Sequence, residues 1–348
     1  MGASGYTGVE LLRLCAGHPD FEVRLATADS SAGARAADVY PSLAASYPGL
    51  VFQEYEPAAM DGLDLVFLAL PHGASQAIVP DLRKRVAHVV DLAADFRLRD
   101  AALYPEWYGE EHACPELLAE FAFGIPELFR DDLYGAPLIA AAGCYVTAAA
   151  LALAPLVRAG VIEPNGVIVD AASGVSGAGR GLKHTSSFGT VNEDFVAYGL
   201  LQHRHTPEIE QAIGAKVVFT PHLAPMTRGI LATCYARPAA GAAAGAAAGA
   251  AAGAAAGLDT AAVMGVLRDA YSDEPFVVVI DEPPSTKATL GSNCAHVTAR
   301  VDPRTGWVLA LAAIDNLTKG ASGQAVQCAN LALGLPETAG LPLSGLYP

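Results

Sequence analysis

The sequence predicts an α/β protein with two domains. The chain has 348 residues, more than one hydrophobic core normally serves. From residue 1 to about 143, apolar runs typical of buried strands alternate with helix-forming stretches, and this alternation indicates a parallel sheet covered by helices. We therefore expect a first domain over 1–143 and a second over 144–316. A C-terminal helix within 317–348 is expected to return to the first domain.

Composition limits the classes of partner. The net charge of −15 argues against nucleic acid and against anionic membrane surfaces. No apolar run is long enough to span a membrane, and the first residues lack the pattern of a secretory signal. The six cysteines form no C-x-x-C pair, so we expect reduced thiols, a cytoplasmic protein and no structural metal.

The first eight residues, MGASGYTG, carry glycines at every third position. Such a loop lets backbone N–H groups approach a pyrophosphate at a helix N-terminus, and hydroxyls of Ser4 and Thr7 add donors. An ordinary glycine turn is the alternative. A dinucleotide loop normally follows a strand, so we expect several residues ahead of Met1.

Residues 21–28 (FEVRLATA) have the composition of a second strand. It ends in Asp29, Ser30 and Ser31, with Arg35 close behind. An acidic residue at this strand end selects NAD through the ribose, whereas hydroxyls and an arginine suit the 2′-phosphate of NADP. Spacing alone leaves the two cofactors open.

Further strands are predicted at 63–70, 87–92, 166–171, 276–280 and 307–314, and helices at 147–157 and 263–270. Arg97 follows the second of these strands and is either an anion ligand or part of a surface ion pair. Residues 239–257 repeat alanine and glycine without charge, and we interpret them as an insertion in a surface connection.

Cys144 is the candidate nucleophile. A short apolar strand and Gly143 precede it, and a run rich in alanine and leucine follows, so the thiol is expected at a helix N-terminus. Partial positive charge there favours the thiolate. The alternative is a small buried hydrophobic residue.

Two other segments have the composition of a site. SGVSGAGR (173–180) has three glycines, which allow close approach to a ligand. In HRH, His203 and His205 would face the same way in an extended segment. A metal site lacks a third ligand, so a proton carrier beside a cysteine is the preferred interpretation.

These stretches together resemble the N-acetyl-γ-glutamyl-phosphate reductase family, relatives of aspartate-semialdehyde dehydrogenase. The resemblance covers the whole chain in family order, through GASGYTG, FLALPHGAS, DLAADFRL, GCYVTA, SGVSGAGR, HRHTPEI, FTPHLAPMTRGI and DNLTKGASGQAVQ. It implies a Rossmann-type dinucleotide-binding domain and an α+β catalytic and dimerisation domain. It also implies NADP(H) as cofactor, a small-molecule substrate and a homo-oligomer, either dimer or tetramer.

The resemblance also implies residue roles. Cys144 would form a thioester from N-acetylglutamyl phosphate, and His205 would carry the proton, with His203 as the second choice. The expected cofactor ligands are Ser4, Gly5, Tyr6, Thr7, Gly8, Ser30, Ser31, Ser176, Gly177, Ala178 and Asn316. The expected substrate ligands are Arg97 for the leaving phosphate, Arg180 and Arg228 for the carboxylate, and His203.

The nucleophile loop departs from the family pattern. The family usually has N-P-G-C-Y-P-T, whereas residues 141–147 have A-A-G-C-Y-V-T. We expect altered loop rigidity with the chemistry retained. Two other functions are alternatives. One is reduction of an aminoadipyl substrate on an acidic carrier protein, which the charge of −15 would repel. The other is a cofactor-binding protein without catalysis.

Overall fold

The computed structural model describes residues 1–240, 242 and 257–348, so most of the predicted insertion at 239–257 lies outside the described residues. The chain divides into two compact units. The first contains 1–143, 178–181 and 320–342, and the second contains 144–177, 182–319 and 343–348. No helix of the described residues is long and apolar enough to cross a membrane.

The strands are numbered in chain order. They are β1 Leu65–Leu68, β2 His88–Asp91, β3 Ala122–Gly124, β4 Leu138–Ala141, β5 Val167–Gly174, β6 Val196–Ala197, β7 Val217–Ala224, β8 Ile230–Ala236, β9 Val277–Val279, β10 Ala295–Val301 and β11 Val308–Ile314.

The helices are numbered in the same way. They are α1 Tyr6–Ala16, α2 Ala36–Val39, α3 Ala74–Leu82, α4 Tyr104–Tyr108, α5 Pro126–Leu133, α6 Cys144–Arg158, α7 Phe188–Val191, α8 His205–Ile213, α9 Thr260–Ala270, α10 Thr286–Thr289 and α11 Gly323–Ala332. Short 3-10 turns join several of them, and a π-helical turn, Thr318–Ser322, precedes α11.

The first unit is built on a parallel sheet in the order β1-β2-β4-β3. Every residue of β4 is buried, as expected for a central strand covered on both faces. All ten residues of α11 are buried as well, and the Ser322 hydroxyl just before it donates to the carbonyl of Thr7. The parallel sheet with flanking helices is the predicted Rossmann-type architecture.

The strand predicted at 21–28 is wrong. The segment is extended but makes only one isolated bridge, between Thr27 and Gln53. A cavity of about 380 Å³ is lined by residues of this segment and of β1, among them Val23, Leu25 and Phe67. Apart from its one bridge the segment forms no ladder among the described residues, despite its β-branched and aromatic composition, because a strand also needs a partner backbone.

The second unit contains a seven-stranded mixed sheet in the order β6-β7-β5-β8-β11-β10-β9. β5 is parallel to β7 and β9 to β10, and the other pairs are antiparallel. Helices α6, α8 and α9 contact one another or the sheet. Burial alternates along β5 and β8, so one face is buried under helices and the other is half-exposed.

Candidate active site and cofactor loop

Cys144 is the first residue of α6, and two residues separate it from the end of β4. The residue is half-buried, and none of the six cysteines, all of which are described, forms a disulfide. The first N–H groups of a helix have no partner within the helix and carry partial positive charge. The predicted position at a helix N-terminus therefore agrees with the structure, and negative charge is favoured there.

Tyr145 follows Cys144 in the chain, and its ring contacts the rings of both histidines. Its ring lies 5.7 Å from the ring of His203 and 5.9 Å from that of His205, measured between centroids. Its hydroxyl donates to the carbonyl oxygen of His222 at 2.9 Å and accepts from the Tyr198 hydroxyl at 3.1 Å. Burial raises the pKa of Tyr145, so its hydroxyl stays protonated.

The histidine pair is close but not in an extended segment. Arg204 has helical dihedral angles and α8 begins at His205, so the chain turns between the two histidines. Their rings are still only 4.8 Å apart. Burial lowers the pKa of His203 to about 4, with a further contribution from the charge of Arg204. His203 is therefore neutral near pH 7.

Three of the predicted cofactor ligands meet in the second unit. Asn316 Nδ2 donates to Ser176 Oγ at 3.0 Å, and Asn316 Oδ1 accepts the N–H of Gly229 at 2.7 Å. A Cβ added at Gly177 would lie 3.8 Å from Asn316 Nδ2, so this glycine is adjacent. Ala178, in contrast, belongs to the first unit.

Arg228 has partners that sequence reasoning missed. Its Nε lies 3.0 Å from Oδ2 of Asp315, which is fully buried, and its Nη2 donates to Thr318 Oγ1 at 3.0 Å. The predicted contact between Arg228 and a substrate carboxylate stays a prediction. No local signal links positions 228 and 315.

The glycine loop in the first unit fits a dinucleotide. Gly5 is the N-cap of α1 and no side chain caps this helix, which leaves the N–H groups around Tyr6, Thr7 and Gly8 for a ligand. A Cβ at Gly8 would overlap the carbonyl oxygen of Gly2 and lie 2.6 Å from Cα of Ala3. The tight loop therefore requires glycine at position 8, as a phosphate cradle does.

The residues predicted beside the 2′-phosphate lie in a turn. Ser30 is exposed and Ser31 half-exposed, just after the single bridge at Thr27. The side chain of Arg35 donates instead to the carbonyl oxygen of Pro48 at 3.0 Å. The two serines are accessible to a ligand, and their role stays a prediction.

The side chain of Arg180 contacts the glycine loop of residues 2–8. Its Nη1 donates to the carbonyl oxygen of Ser4 at 3.0 Å, and its guanidinium lies 5.4 Å from the ring centroid of Tyr40. The Tyr40 hydroxyl donates to the same oxygen at 2.8 Å. The family resemblance implies Arg180 near the substrate carboxylate, whereas the structure gives it these contacts within the first unit.

Arg97 belongs to a buried polar cluster that sequence reasoning did not identify. Its Nη2 donates to the carbonyl oxygen of Leu92 at 2.7 Å. Nearby, Asp91 accepts the Ser75 hydroxyl at 2.9 Å, and burial raises the pKa of Asp91 to about 7. Burial opposes ionisation of Asp95, but the hydrogen bonds from His72 and from backbone N–H groups outweigh it and lower its pKa.

Metal ligation has no support in the described part of the chain. None of its residues form a group of three or more His, Cys, Asp and Glu side chains suited to an ion. His203 and His205 lie beside Tyr145, and no third metal-ligating side chain joins them among the described residues.

Two family models match the chain. Residues 1–136 match the semialdehyde dehydrogenase NAD binding domain, and residues 144–316 match the semialdehyde dehydrogenase dimerisation domain. The boundary between the matches falls just before Cys144, between the two units.

Curated relatives match over the full length. The N-acetyl-gamma-glutamyl-phosphate reductase of Symbiobacterium thermophilum is 48% identical, with 100% of this chain and 98% of that protein aligned. The enzymes of the same name from Desulforudis audaxviator and Moorella thermoacetica are 46% and 45% identical at the same coverage.

Solved structures agree in fold. Aspartate semialdehyde dehydrogenase II from Vibrio cholerae matches with a TM-score of 0.68 at 16% identity, covering 96% of this chain and 97% of that one. The Candida albicans enzyme, solved with NADP, gives 0.63 at 17% identity, covering 95% and 96%. At such identities the likeness concerns the fold alone.

Proposed function

The chain belongs to the semialdehyde dehydrogenase family, and from this premise we propose that it reduces N-acetyl-L-glutamyl 5-phosphate to N-acetyl-L-glutamate 5-semialdehyde and phosphate. It is an NADP-dependent acyl-phosphate reductase that catalyses the third step of arginine biosynthesis. The observation that supports this most directly is Cys144 at the start of α6, followed by Tyr145 in contact with two imidazoles.

Within this proposal the residues around α1 hold the cofactor phosphates. The N–H groups of Tyr6, Thr7 and Gly8 point out of an uncapped helix start, and Ser30 and Ser31 lie in an accessible turn. In the second unit, the buried residues Ser176 and Asn316 lie beside Gly177, and their hydroxyl and amide groups suit the nicotinamide amide. When bound, NADPH would supply the hydride that adds to the carbonyl carbon of the thioester.

Cys144 carries the acyl group. His205 accepts the thiol proton, and the thiolate attacks the acyl carbon. The bond from that carbon to the phosphate oxygen breaks, phosphate leaves and a thioester forms. After reduction, the C–S bond breaks, the carbonyl of the aldehyde forms and the thiolate regains its proton from His205. Tyr145, the residue after the nucleophile, packs against both histidine rings.

The assembly is a homo-oligomer, and we propose a dimer or a tetramer. The second unit matches a dimerisation domain, and one face of its seven-stranded sheet is half-exposed. Light scattering of the purified protein distinguishes these states. We propose the cytoplasm as its compartment, because buried, reduced thiols such as Cys114 and Cys234 are typical of it.

The test is the reverse reaction, phosphate-dependent reduction of NADP⁺ by the semialdehyde. Cys144→Ser should lose at least about 10³-fold in rate while NADP⁺ still binds. Cys15→Ser is the matched control, because burial raises the pKa of Cys15 to about 12 and leaves it a poor nucleophile. If the unmutated protein shows no phosphate-dependent activity, the proposed function is wrong.

A further inference from the structure

We propose that His203 is a positioning residue that fixes the main chain at His205 and does not exchange protons itself. The inference rests on the proposed function and divides the work between two histidines that the sequence could not separate.

The hydrogen bond runs from backbone to ring. The N–H of His205 donates to His203 Nδ1 at 3.1 Å. Since Nδ1 accepts, the ring hydrogen of neutral His203 lies on Nε2. A second proton on Nδ1 would remove this acceptor. Proton transfer at Nδ1 would therefore break the contact that holds His205.

The donor N–H belongs to the first turn of α8, which starts at His205. The N–H groups of a first turn need partners from outside the helix. Arg204, at the N-cap, makes no side-chain cap hydrogen bond. His203 supplies the acceptor from one position further back and so orients the first residue of the helix, whose side chain is the proposed proton carrier.

Aromatic rings hold His203 in place. Its ring meets those of Tyr145, Tyr198 and Phe219 edge-on, with centroids 5.7, 5.6 and 5.3 Å away. Behind it, Gly199 has a φ of 55°, and a Cβ there would lie 3.4 Å from His203 Cδ2. The ring therefore has little room to turn.

The charged and titratable groups around the ring agree with a neutral role. They are Tyr145 and Tyr198, whose pKa values burial raises, together with Arg204 and His205. Burial and the cation of Arg204 both oppose a second proton on His203. Because the His203 ring stays neutral through the working pH range, its Nδ1 can accept the N–H of His205 across that range.

The experiment compares three variants: His203→Ala, His203→Asn and His205→Ala. Asparagine at 203 can accept the N–H two residues later through its side-chain oxygen, as in an Asx turn. We expect His203→Asn to keep kcat within about threefold and to keep the unmutated pH profile. His203→Ala should lose about 10- to 100-fold in kcat with KM nearly unchanged, because the proton carrier is displaced.

Imidazole added to the assay separates the two roles. It should restore activity to His205→Ala, whose missing group is a proton carrier, and not to His203→Ala. Rescue of His203→Ala by imidazole, full activity of His203→Ala, or equal losses in His203→Asn and His203→Ala would each overturn the inference. Circular dichroism confirms folding of each variant. Inactivity of the unmutated protein would instead count against the proposed function.

Discussion

The carboxylate of Asp95 caps a helix that starts about twenty residues earlier. Its Oδ2 accepts the N–H of Ser75 at 2.9 Å, and its Oδ1 accepts that of Gly73 at 2.8 Å. Gly73, the N-cap of α3, has a φ of 86° and no side chain to do this. His72 adds a ring nitrogen 2.7 Å from the same carboxylate. The buried Asp95 side chain thus connects the loop after β2 to the N-terminus of α3.

Removing this cap should destabilise the protein. We expect Asp95→Ala to lower the free energy of unfolding by about 3 kcal/mol, because it leaves several buried N–H groups without an acceptor. Asp100 provides a matched control, since it caps only Ala102 of a short exposed turn. Asp100→Ala should cost under about 1 kcal/mol in urea unfolding. Equal losses in the two variants would contradict this role for Asp95.

Asp91 should make stability fall as pH rises. Burial raises its pKa to about 7, above the value of about 4 in an unfolded chain. The stabilisation from its bound proton is complete below about pH 4 and is lost as pH rises through about 7. Asp91→Asn cannot ionise, so its stability relative to the unmutated protein should increase over that range. Urea unfolding across this range measures the difference, and a constant difference would rule out the effect.

Gly8 should be required for cofactor binding. A Cβ there would overlap Gly2 and deform the loop at the start of α1. We expect Gly8→Ala to weaken NADP⁺ binding at least about 10-fold in calorimetric titration. Gly17→Ala is the control at the other end of the helix, where φ is −99° and a Cβ would lie 3.8 Å from the carbonyl oxygen of Leu14. Tight NADP⁺ binding by Gly8→Ala would contradict a phosphate-binding role for this loop.

The pair of Arg228 and Asp315 should be costly to break. Asp315 is fully buried, so Arg228→Ala leaves a buried carboxylate without its cation and should destabilise the protein by about 3 kcal/mol. Arg304→Ala removes an exposed partner of Asp302 and should cost less than about 1 kcal/mol. Thermal unfolding of both variants tests this, and a small loss for Arg228→Ala would show that the pair contributes little.

Local patterns in the sequence predicted much of the fold and the nucleophile. Gly143 followed by an alanine- and leucine-rich run was sufficient to predict a helix starting near Cys144. The continuous apolar runs at 63–70 and 87–92 correctly predicted β1 and β2. These features depend on neighbouring residues alone.

Tertiary contacts account for what the sequence could not predict. Arg180 reaches the carbonyl of Ser4 across 176 positions, and Arg228 reaches Asp315 across 87. No spacing rule relates such positions. The segment at 21–28 has strand composition, but whether it joins a ladder depends on what lies beside it.

Helix α11 has a consequence for the synthesis of the chain. It is buried in the first unit together with Ser322, which bonds to Thr7, yet it is encoded more than three hundred positions later. A ribosome adding about 5–20 residues per second completes the glycine loop at once but needs on the order of half a minute to supply this helix. The nascent first unit therefore acquires this helix only after nearly the whole polypeptide has been synthesised.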